Sequence, residues 1–202
     1  MTVVIRRYRP EDLPAIYRIC LLVGDNGADA SPLYQEKEIL GDLYAGPYGR
    51  YAAELAFVAD DEEGVCGFTL GVLDTASFED RLEREWWPAL RRRYRDPGDV
   101  PAAQRSPDQR AAGLIHHPPR MAGEVLAAYP SHLHIDVLSR QQGTGLGGRL
   151  MQTLLDALRR RGSSGVHLVV SAGNPRAIGF YRHVGFRELA RDERSLTLGK
   201  RL

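Results

Sequence analysis

The fold of this 202-residue chain is decided by the stretch Arg140-Gln141-Gln142-Gly143-Thr144-Gly145-Leu146-Gly147-Gly148. An apolar strand pattern at 132–138 precedes this stretch, and Leu150, Leu154 and Leu158 follow it at helical spacing. Glycines let the backbone turn tightly and leave no side chain between the chain and a ligand. The free N–H groups of the first helical turn then suit a pyrophosphate. We therefore predict a phosphate-binding loop between a strand and a helix.

The glycine spacing also satisfies the dinucleotide pattern G-x-G-x-x-G, through Gly143, Gly145 and Gly148. A dinucleotide site needs an acidic residue about 20 residues further on, at the end of the next strand. The next predicted strand, 166–170, ends in Ser171 instead. A Walker-type loop is excluded as well, because no Gly-Lys-Ser/Thr follows. The sequence therefore disfavours a dinucleotide oxidoreductase.

A second block, Asn174-Pro175-Arg176-Ala177-Ile178-Gly179-Phe180-Tyr181 followed by Gly185-Phe186, lies one strand further on. Together the two blocks resemble the GNAT superfamily of acyl-CoA N-acyltransferases. Its fingerprint is Gln or Arg, two residues, Gly, one residue, then Gly or Ala, and Arg140, Gly143 and Gly145 fit it. The resemblance implies an α/β fold. Its sheet would be mixed, mostly antiparallel and twisted, with a V-shaped splay between two central parallel strands and helices on both faces.

Outside these blocks we predict one domain over 1–202 with an insertion at about 77–130. The Trp86-Trp87-Pro88 segment, the strand at 130–138 and the turn at 174–177 resemble bacterial proteins similar to the acetyltransferase-like C-terminal domain of animal O-GlcNAcase. Hydrophobic spacing and turn residues predict the elements of the remaining chain. These predicted elements are a strand at 3–5, a helix from Pro10 to Gly24, a helix from Pro32, and a hairpin of 55–59 with 65–73. They continue with a helix capped by Ser77 and broken at Pro88, and with an irregular excursion at 96–130 that could contain a short helix near 104–113.

The resemblance implies that acetyl-CoA is the co-substrate and lies in the splay. Backbone groups of Asp136, Val137 and Leu138 would pair with the pantetheine arm, and an amide near Leu138 would polarise the thioester carbonyl. The implied cofactor-binding residues are Asp136, Val137, Leu138, Arg140, Gln142, Gly143, Thr144, Gly145, Leu146, Gly147, Gly148, Asn174, Ala177 and Tyr181.

Two residues are the candidate catalytic groups, Tyr181 and Asp136. Tyr181 matches the family's tyrosine that protonates the departing thiolate, although it could also be a core residue beside Phe180. Asp136 could accept the amine proton, anchor the amine, or be a carboxylate satisfied by neighbours. Asn174 could bond to the cofactor or cap the helix that starts at Pro175.

The same strand could instead hold a metal ion. His132, His134 and Asp136 alternate and so share one face, a donor set that could bind zinc. A strand that feeds a cofactor site already accounts for this spacing, so we predict no metal. Cys20 lies on the apolar stripe of the first helix and is interpreted as a small core residue.

Composition limits the partners and the location. Lys plus Arg is 27 and Asp plus Glu is 26, a net charge of +1 that argues against nucleic-acid binding through bulk charge. Two cysteines exclude a disulfide framework and predict a reducing, cytoplasmic location. No apolar run approaches the ~20 residues of a membrane span. Monomer and homodimer both stay open.

The functional prediction is an acetyl-CoA-dependent N-acetyltransferase that transfers acetyl directly to a primary amine of a small molecule or a protein lysine. The alternative is an acetyl-CoA-binding pseudo-acetyltransferase that acts as a recognition module. Fold does not settle the acceptor.

Overall fold

The computed structural model describes residues 3–202 and contains a seven-stranded sheet of order β1-β2-β3-β4-β5-β7-β6. Every neighbouring pair is antiparallel except β4 with β5, which is parallel. The strands are β1 (Val4–Arg7), β2 (Ala56–Asp61), β3 (Gly64–Val72), β4 (Ser131–Val137), β5 (Gly165–Ser171), β6 (Arg187–Arg191) and β7 (Ser195–Arg201).

The parallel pair separates almost as soon as it forms. Only Ser131↔Val166 and His132↔His167 are in register, and the rest of β4 and β5 is unpaired between the two strands. We call this gap the splay. The mixed, mostly antiparallel sheet with a splayed central pair confirms the predicted fold.

Helices cover both faces of the sheet. They are α1 (Leu13–Val23), α2 (Ile39–Tyr44), α3 (Gly46–Tyr51), α4 (Thr75–Glu85), α5 (Trp87–Arg93), α6 (Pro107–His116), α7 (Gly123–Ala128), α8 (Leu146–Arg160) and α9 (Pro175–His183). On one face α1 packs with buried Phe68 and Leu70. On the other, Leu154 of α8 packs with Leu133 and Val166. Because side chains alternate along β4, His132, His134 and Asp136 lie on the α1 face.

Two helix predictions were wrong in their starting points. Residues 31–38 form turns rather than a helix, and helical structure begins only at Ile39. Leu33, which lies in these turns, is exposed. The cap of α4 is Asp74, whose carboxylate accepts the Ser77 N–H at 2.7 Å, so the helix begins before Ser77. The predicted break near Pro88 is confirmed, because α4 ends at Glu85 and α5 begins at Trp87.

The segment between β3 and β4 is more regular than its Pro- and Gly-rich composition predicts. It contains α6 and α7 as well as α4 and α5. Trp87 is buried, while Trp86 is half-buried and donates its Nε1–H to the Asp42 carbonyl at 3.0 Å. Tyr94 donates to the Asp42 carboxylate at 2.6 Å. These bonds attach the segment to α2.

Candidate active site

The glycine loop, residues 140–148, bends from β4 into α8 beside the splay. Gly143 and Gly145 have φ values of 81° and 87°, a left-handed conformation that other residues adopt only with strain. A Cβ on Gly143, Gly145 or Gly148 would meet no atom within 4 Å, so the space beside the backbone is open. Among residues 3–202, no well-formed hydrogen bond uses the backbone N–H groups of 143–148. The loop therefore offers unpaired amides at the positive end of α8.

The hairpin of β2 and β3 holds this loop from behind. The Arg140 guanidinium contacts both carboxylate oxygens of Asp61 at 3.0 Å, and Gln141 donates to the same carboxylate at 2.9 Å. These contacts, with Arg140 first, hold the pKa of Asp61 well below its usual range. The Thr144 hydroxyl donates to the Gln141 carbonyl at 2.8 Å. The Arg140 side chain is thus committed to positioning the loop.

At the end of β4, the backbone of Leu138 is not free to bind a cofactor as expected. Its N–H donates to the Cys66 carbonyl at 2.9 Å, and its carbonyl accepts the Gln141 N–H at 2.9 Å. The Leu138 amide is therefore used inside the protein and is not available to polarise a thioester. Since backbone direction alternates along a strand, the Val137 N–H and carbonyl face the splay instead. The side-chain amide of Gln142 reaches that Val137 carbonyl at 2.9 Å and also accepts a bond from Arg176.

Helix α9 forms the wall opposite β4. Asn174 caps the helix, because its Oδ1 accepts the Ala177 N–H at 2.9 Å. Tyr181 is 8% exposed, and no hydrogen bond of its hydroxyl is found among the described residues. Burial, followed by the Asp136 charge, raises the pKa of Tyr181. The phenol therefore stays protonated at neutral pH and is able to donate.

Asp136 and His134 form a pair on β4, with Oδ2 and Nε2 3.1 Å apart. The imidazole is stacked on Tyr44 with ring centroids 5.4 Å apart, and on Phe68 at 5.9 Å. The two side chains are 29% and 22% exposed for His134 and Asp136. A carboxylate can only accept, so the imidazole donates to it when Asp136 is ionised.

His132 belongs to a separate chain of hydrogen bonds. Thr75 donates to the Pro130 carbonyl at 2.7 Å, so its oxygen accepts from His132 Nδ1 at 2.9 Å. The Tyr48 hydroxyl then donates to His132 Nε2 at 2.9 Å. Burial lowers the pKa of His132 to about 3, which keeps the ring neutral. Tyr48 consequently has acceptor lone pairs free for a ligand.

A continuous cleft of about 1460 Å³ connects these parts. Most predicted site residues line it: Asp136, Val137, Gln142, Gly143, Gly145, Gly147, Gly148, Asn174, Ala177 and Tyr181. Four do not: Leu138, Arg140, Thr144 and Leu146. Leu146 is buried beneath the loop in the core. On the α1 face the cleft continues past Tyr44, Tyr48, Phe78 and Glu79.

The roles of Tyr48, Glu79 and His134 did not emerge from the sequence. Tyr48 and Glu79 stand on separate helices with no motif spacing to each other or to the glycine loop. The only signal for His134 was its alternation with Asp136 on the same strand face.

A sheet with a single splayed parallel pair and unpaired loop amides beside it defines the acyltransferase class of α/β folds. The model of the Acetyltransferase (GNAT) family matches residues 29–186, and the chain belongs to this family. Protein O-GlcNAcase of Rattus norvegicus and that of Mus musculus are each 28% identical over 191 residues. These matches cover 94% of this chain but only 20% of the length of either relative.

Solved structures agree with this assignment. SsHAT is 40% identical with a TM-score of 0.91, covering 100% of this chain and 98% of that one. The yncA protein of Salmonella typhimurium, solved with its cofactor acetyl-CoA, is 16% identical with a TM-score of 0.58, covering 99% and 94%. At this identity yncA shows the fold alone. Within residues 3–202, no helix combines the length and apolar character that crossing a bilayer requires.

Proposed function

We propose that this protein is an acetyl-CoA-dependent N-acetyltransferase that transfers acetyl directly to a primary amine. The observation that carries the proposal is the run of unpaired amides at 143–148, which opens into the same cleft as Tyr181 and Asp136. Such amides at a helix start favour the diphosphate of CoA. The pantetheine arm would then extend along the splay toward Val137.

The reacting groups have complementary roles along this path. The amine lone pair attacks the thioester carbon, and the Val137 N–H, which faces the splay, supports the negative charge that develops on oxygen. The carbon–sulfur bond then breaks. Tyr181 gives its proton to the departing thiolate, a role suited to a phenol that burial keeps protonated.

Asp136 accepts the proton that the amine loses. Its carboxylate lines the cleft, and His134 holds it in place by donating at 3.1 Å. Stacking on Tyr44 and Phe68 in turn fixes the His134 ring. His134 is thus a positioning residue, and Asp136 is the candidate base.

The acceptor would lie in the part of the cleft on the α1 face. Glu79 and Asp136 supply carboxylates there, and the rings of Tyr44, Tyr48 and Phe78 supply π-faces. Both features attract an ammonium group. They support a small-molecule amine or a protein lysine as the acceptor class.

Tyr181→Phe tests this function. In an assay of CoA thiol release with an amine panel, kcat should fall about 100-fold, the size of one proton-transfer contribution. The acetyl-CoA Kd, measured by calorimetry, should change less than about twofold, because the ring and its packing remain.

The matched control is Tyr129→Phe, a tyrosine outside the cleft whose ring contacts Arg201. It should leave both quantities unchanged. Wild-type protein that binds acetyl-CoA but acetylates no amine in the panel would favour the recognition-module alternative. Absence of acetyl-CoA binding would overturn both functions.

A further inference from the structure

Three potential metal ligands converge where the acceptor part of the cleft meets the splay. They are the Cys20 thiol on α1 and the His134 imidazole and Asp136 carboxylate on β4, with one ligand atom each, all within 4.8 Å of one another. Thiolate, imidazole and carboxylate are the three protein donors that zinc prefers. All three residues line the cleft.

This set differs from the histidine pattern on the strand. Both ring nitrogens of His132 already have partners, Thr75 and Tyr48, so His132 is not free to bind a metal. Cys20, which is 114 and 116 residues away in sequence from His134 and Asp136, takes its place through the packing of α1 on β4. Among the described residues, no hydrogen bond occupies the second nitrogen of His134.

The geometry of the pair on β4 is already close to that of a metal site. Two ligands of a tetrahedral zinc with bonds of about 2.0–2.1 Å are about 3.3 Å apart. His134 Nε2 and Asp136 Oδ2 are 3.1 Å apart. The rings of Tyr44 and Phe68 hold the imidazole plane, so little side-chain freedom is lost on binding.

Charge balance favours a divalent cation at this position. Binding would release the Cys20 proton to solvent and move the proton of the neutral imidazole from Nε2 to Nδ1, which has no hydrogen-bond partner among the described residues. One thiolate, one carboxylate and one neutral imidazole then face the ion. Their combined charge of −2 cancels that of the ion. Cys20 is 3% exposed, so a neutral cluster suits its surroundings better than an isolated thiolate.

We propose that Cys20, His134 and Asp136 form a binding site for Zn²⁺ or a similar divalent transition metal, with a fourth position open to the cleft. Occupation of the site withdraws the Asp136 carboxylate from proton transfer and fills the place of the acceptor nitrogen. Zinc therefore inhibits transfer in competition with the amine, a consequence that rests on the proposed function. The metal site itself does not rest on it.

Cobalt titration of the metal-free full-length chain tests the site directly. One equivalent of Co²⁺ should produce a thiolate-to-cobalt charge-transfer band together with the visible bands of tetrahedral cobalt, and Zn²⁺ should abolish both. Cys20→Ser should remove the charge-transfer band. His134→Gln, which keeps the thiol, should weaken Co²⁺ binding at least about tenfold, as loss of one ligand requires.

Cys66→Ser is the matched control, because Cys66 is the other buried cysteine and its thiol donates to the Ala59 carbonyl instead. It should retain the full band. The proposal is overturned if wild type shows no charge-transfer band, if the band survives in Cys20→Ser, or if His134→Gln binds Co²⁺ as wild type does. Circular dichroism of each variant checks that it is folded.

Zinc inhibition kinetics distinguish the proposed metal site from the proposed function. With transfer activity present, Zn²⁺ should raise the KM of the amine and leave the KM of acetyl-CoA unchanged. A protein with the cobalt band but no transfer activity retains the metal site and loses the proposed function.

Discussion

The cofactor corner and the acceptor groove of the same cleft are built in different ways. The corner consists of consecutive backbone amides at 143–148, set by glycines and the start of one helix. The groove consists of side chains from α2, α3, α4 and β4, including Tyr44, Tyr48, Glu79 and His134. A site made of consecutive backbone amides is determined by one short stretch of sequence. A site made of side chains depends on how distant elements pack. If the two regions work independently, a substitution in one of them should leave the function of the other unchanged.

Gly145→Asp should have the largest effect. It places a negative charge beside the proposed diphosphate site at a φ of 87°, and should weaken acetyl-CoA binding at least about 100-fold, or about 2.8 kcal/mol. Calorimetry gives the Kd.

Gly64→Asp is its control, since Gly64 has a comparable φ of 103°, open space around its Cβ position, and is the first residue of β3. The two variants should lose similar thermal stability, but only Gly145→Asp should lose affinity. Equal affinity in both would remove the diphosphate from this corner.

His132 on the acceptor side predicts a pH-dependent stability. Its pKa falls from 6.5 to about 3 on burial, so between these values the unfolded chain binds a proton that the native state does not. The free energy of unfolding should therefore decrease as pH falls below 6.5, with a slope of up to about 1.4 kcal/mol per pH unit from this group.

Urea unfolding of wild type and His132→Gln between pH 7 and pH 4.5 measures that slope. The variant should have a shallower dependence, and His183→Gln, at an exposed position, should resemble wild type. A wild-type slope retained in His132→Gln would show that other groups control it.

Asp61→Asn tests the support of the cofactor corner from behind. It removes the ion pair with Arg140 without changing shape, so the loop is less fixed and acetyl-CoA affinity should fall about tenfold. Asp60→Asn, at a neighbouring carboxylate that pairs with Arg6, should not alter the Kd. Calorimetry at constant ionic strength measures the acetyl-CoA Kd. If Asp61→Asn had the wild-type Kd, the loop would not depend on Asp61.

Glu79→Gln should have the smallest effect and act only on the groove. Glu79 is half-buried beside Phe78, and burial raises its pKa. Loss of the charge should raise the KM of a cationic acceptor about threefold, in the range of a partly screened ion pair, and leave the acetyl-CoA Kd unchanged. Glu85→Gln on the same helix, outside the cleft, is the control. A changed acetyl-CoA Kd would show that groove and corner are coupled.

The sequence was sufficient for most strands and for the placement of the glycine loop, because these depend on local periodicity and on glycines at fixed spacing. The splay was predicted only through the resemblance of the two sequence blocks to the family. The start of helix α9 was predicted correctly, since Asn174 and Pro175 mark it. These signals are short-range, and they act the same way in any surrounding structure.

The remaining features depend on contacts that spacing does not record. The start at Pro32 failed because turns and the Lys37 bonds to carbonyls of Ser31 and Tyr34 replace a helix there. The sequence did not show that the Leu138 amide is used inside the protein, because its partner, the Cys66 carbonyl, lies on another strand. Cys20 was correctly placed in the core, yet its approach to His134 and Asp136 required the packing of α1 on the sheet.

The brevity of the β4–β5 pairing has a mechanical consequence. Two registered residue pairs join β4 to β5, fewer than join any other two neighbouring strands of the described sheet. We therefore expect the sheet to deform most easily between its β1–β4 and β5–β7 portions. Motions that widen or narrow the splay should require less free energy than motions that bend either portion of the sheet. A ligand bound in the splay would connect the two portions of the sheet. The amide protons of Val166 and His167 should then exchange with solvent more slowly when the ligand is present.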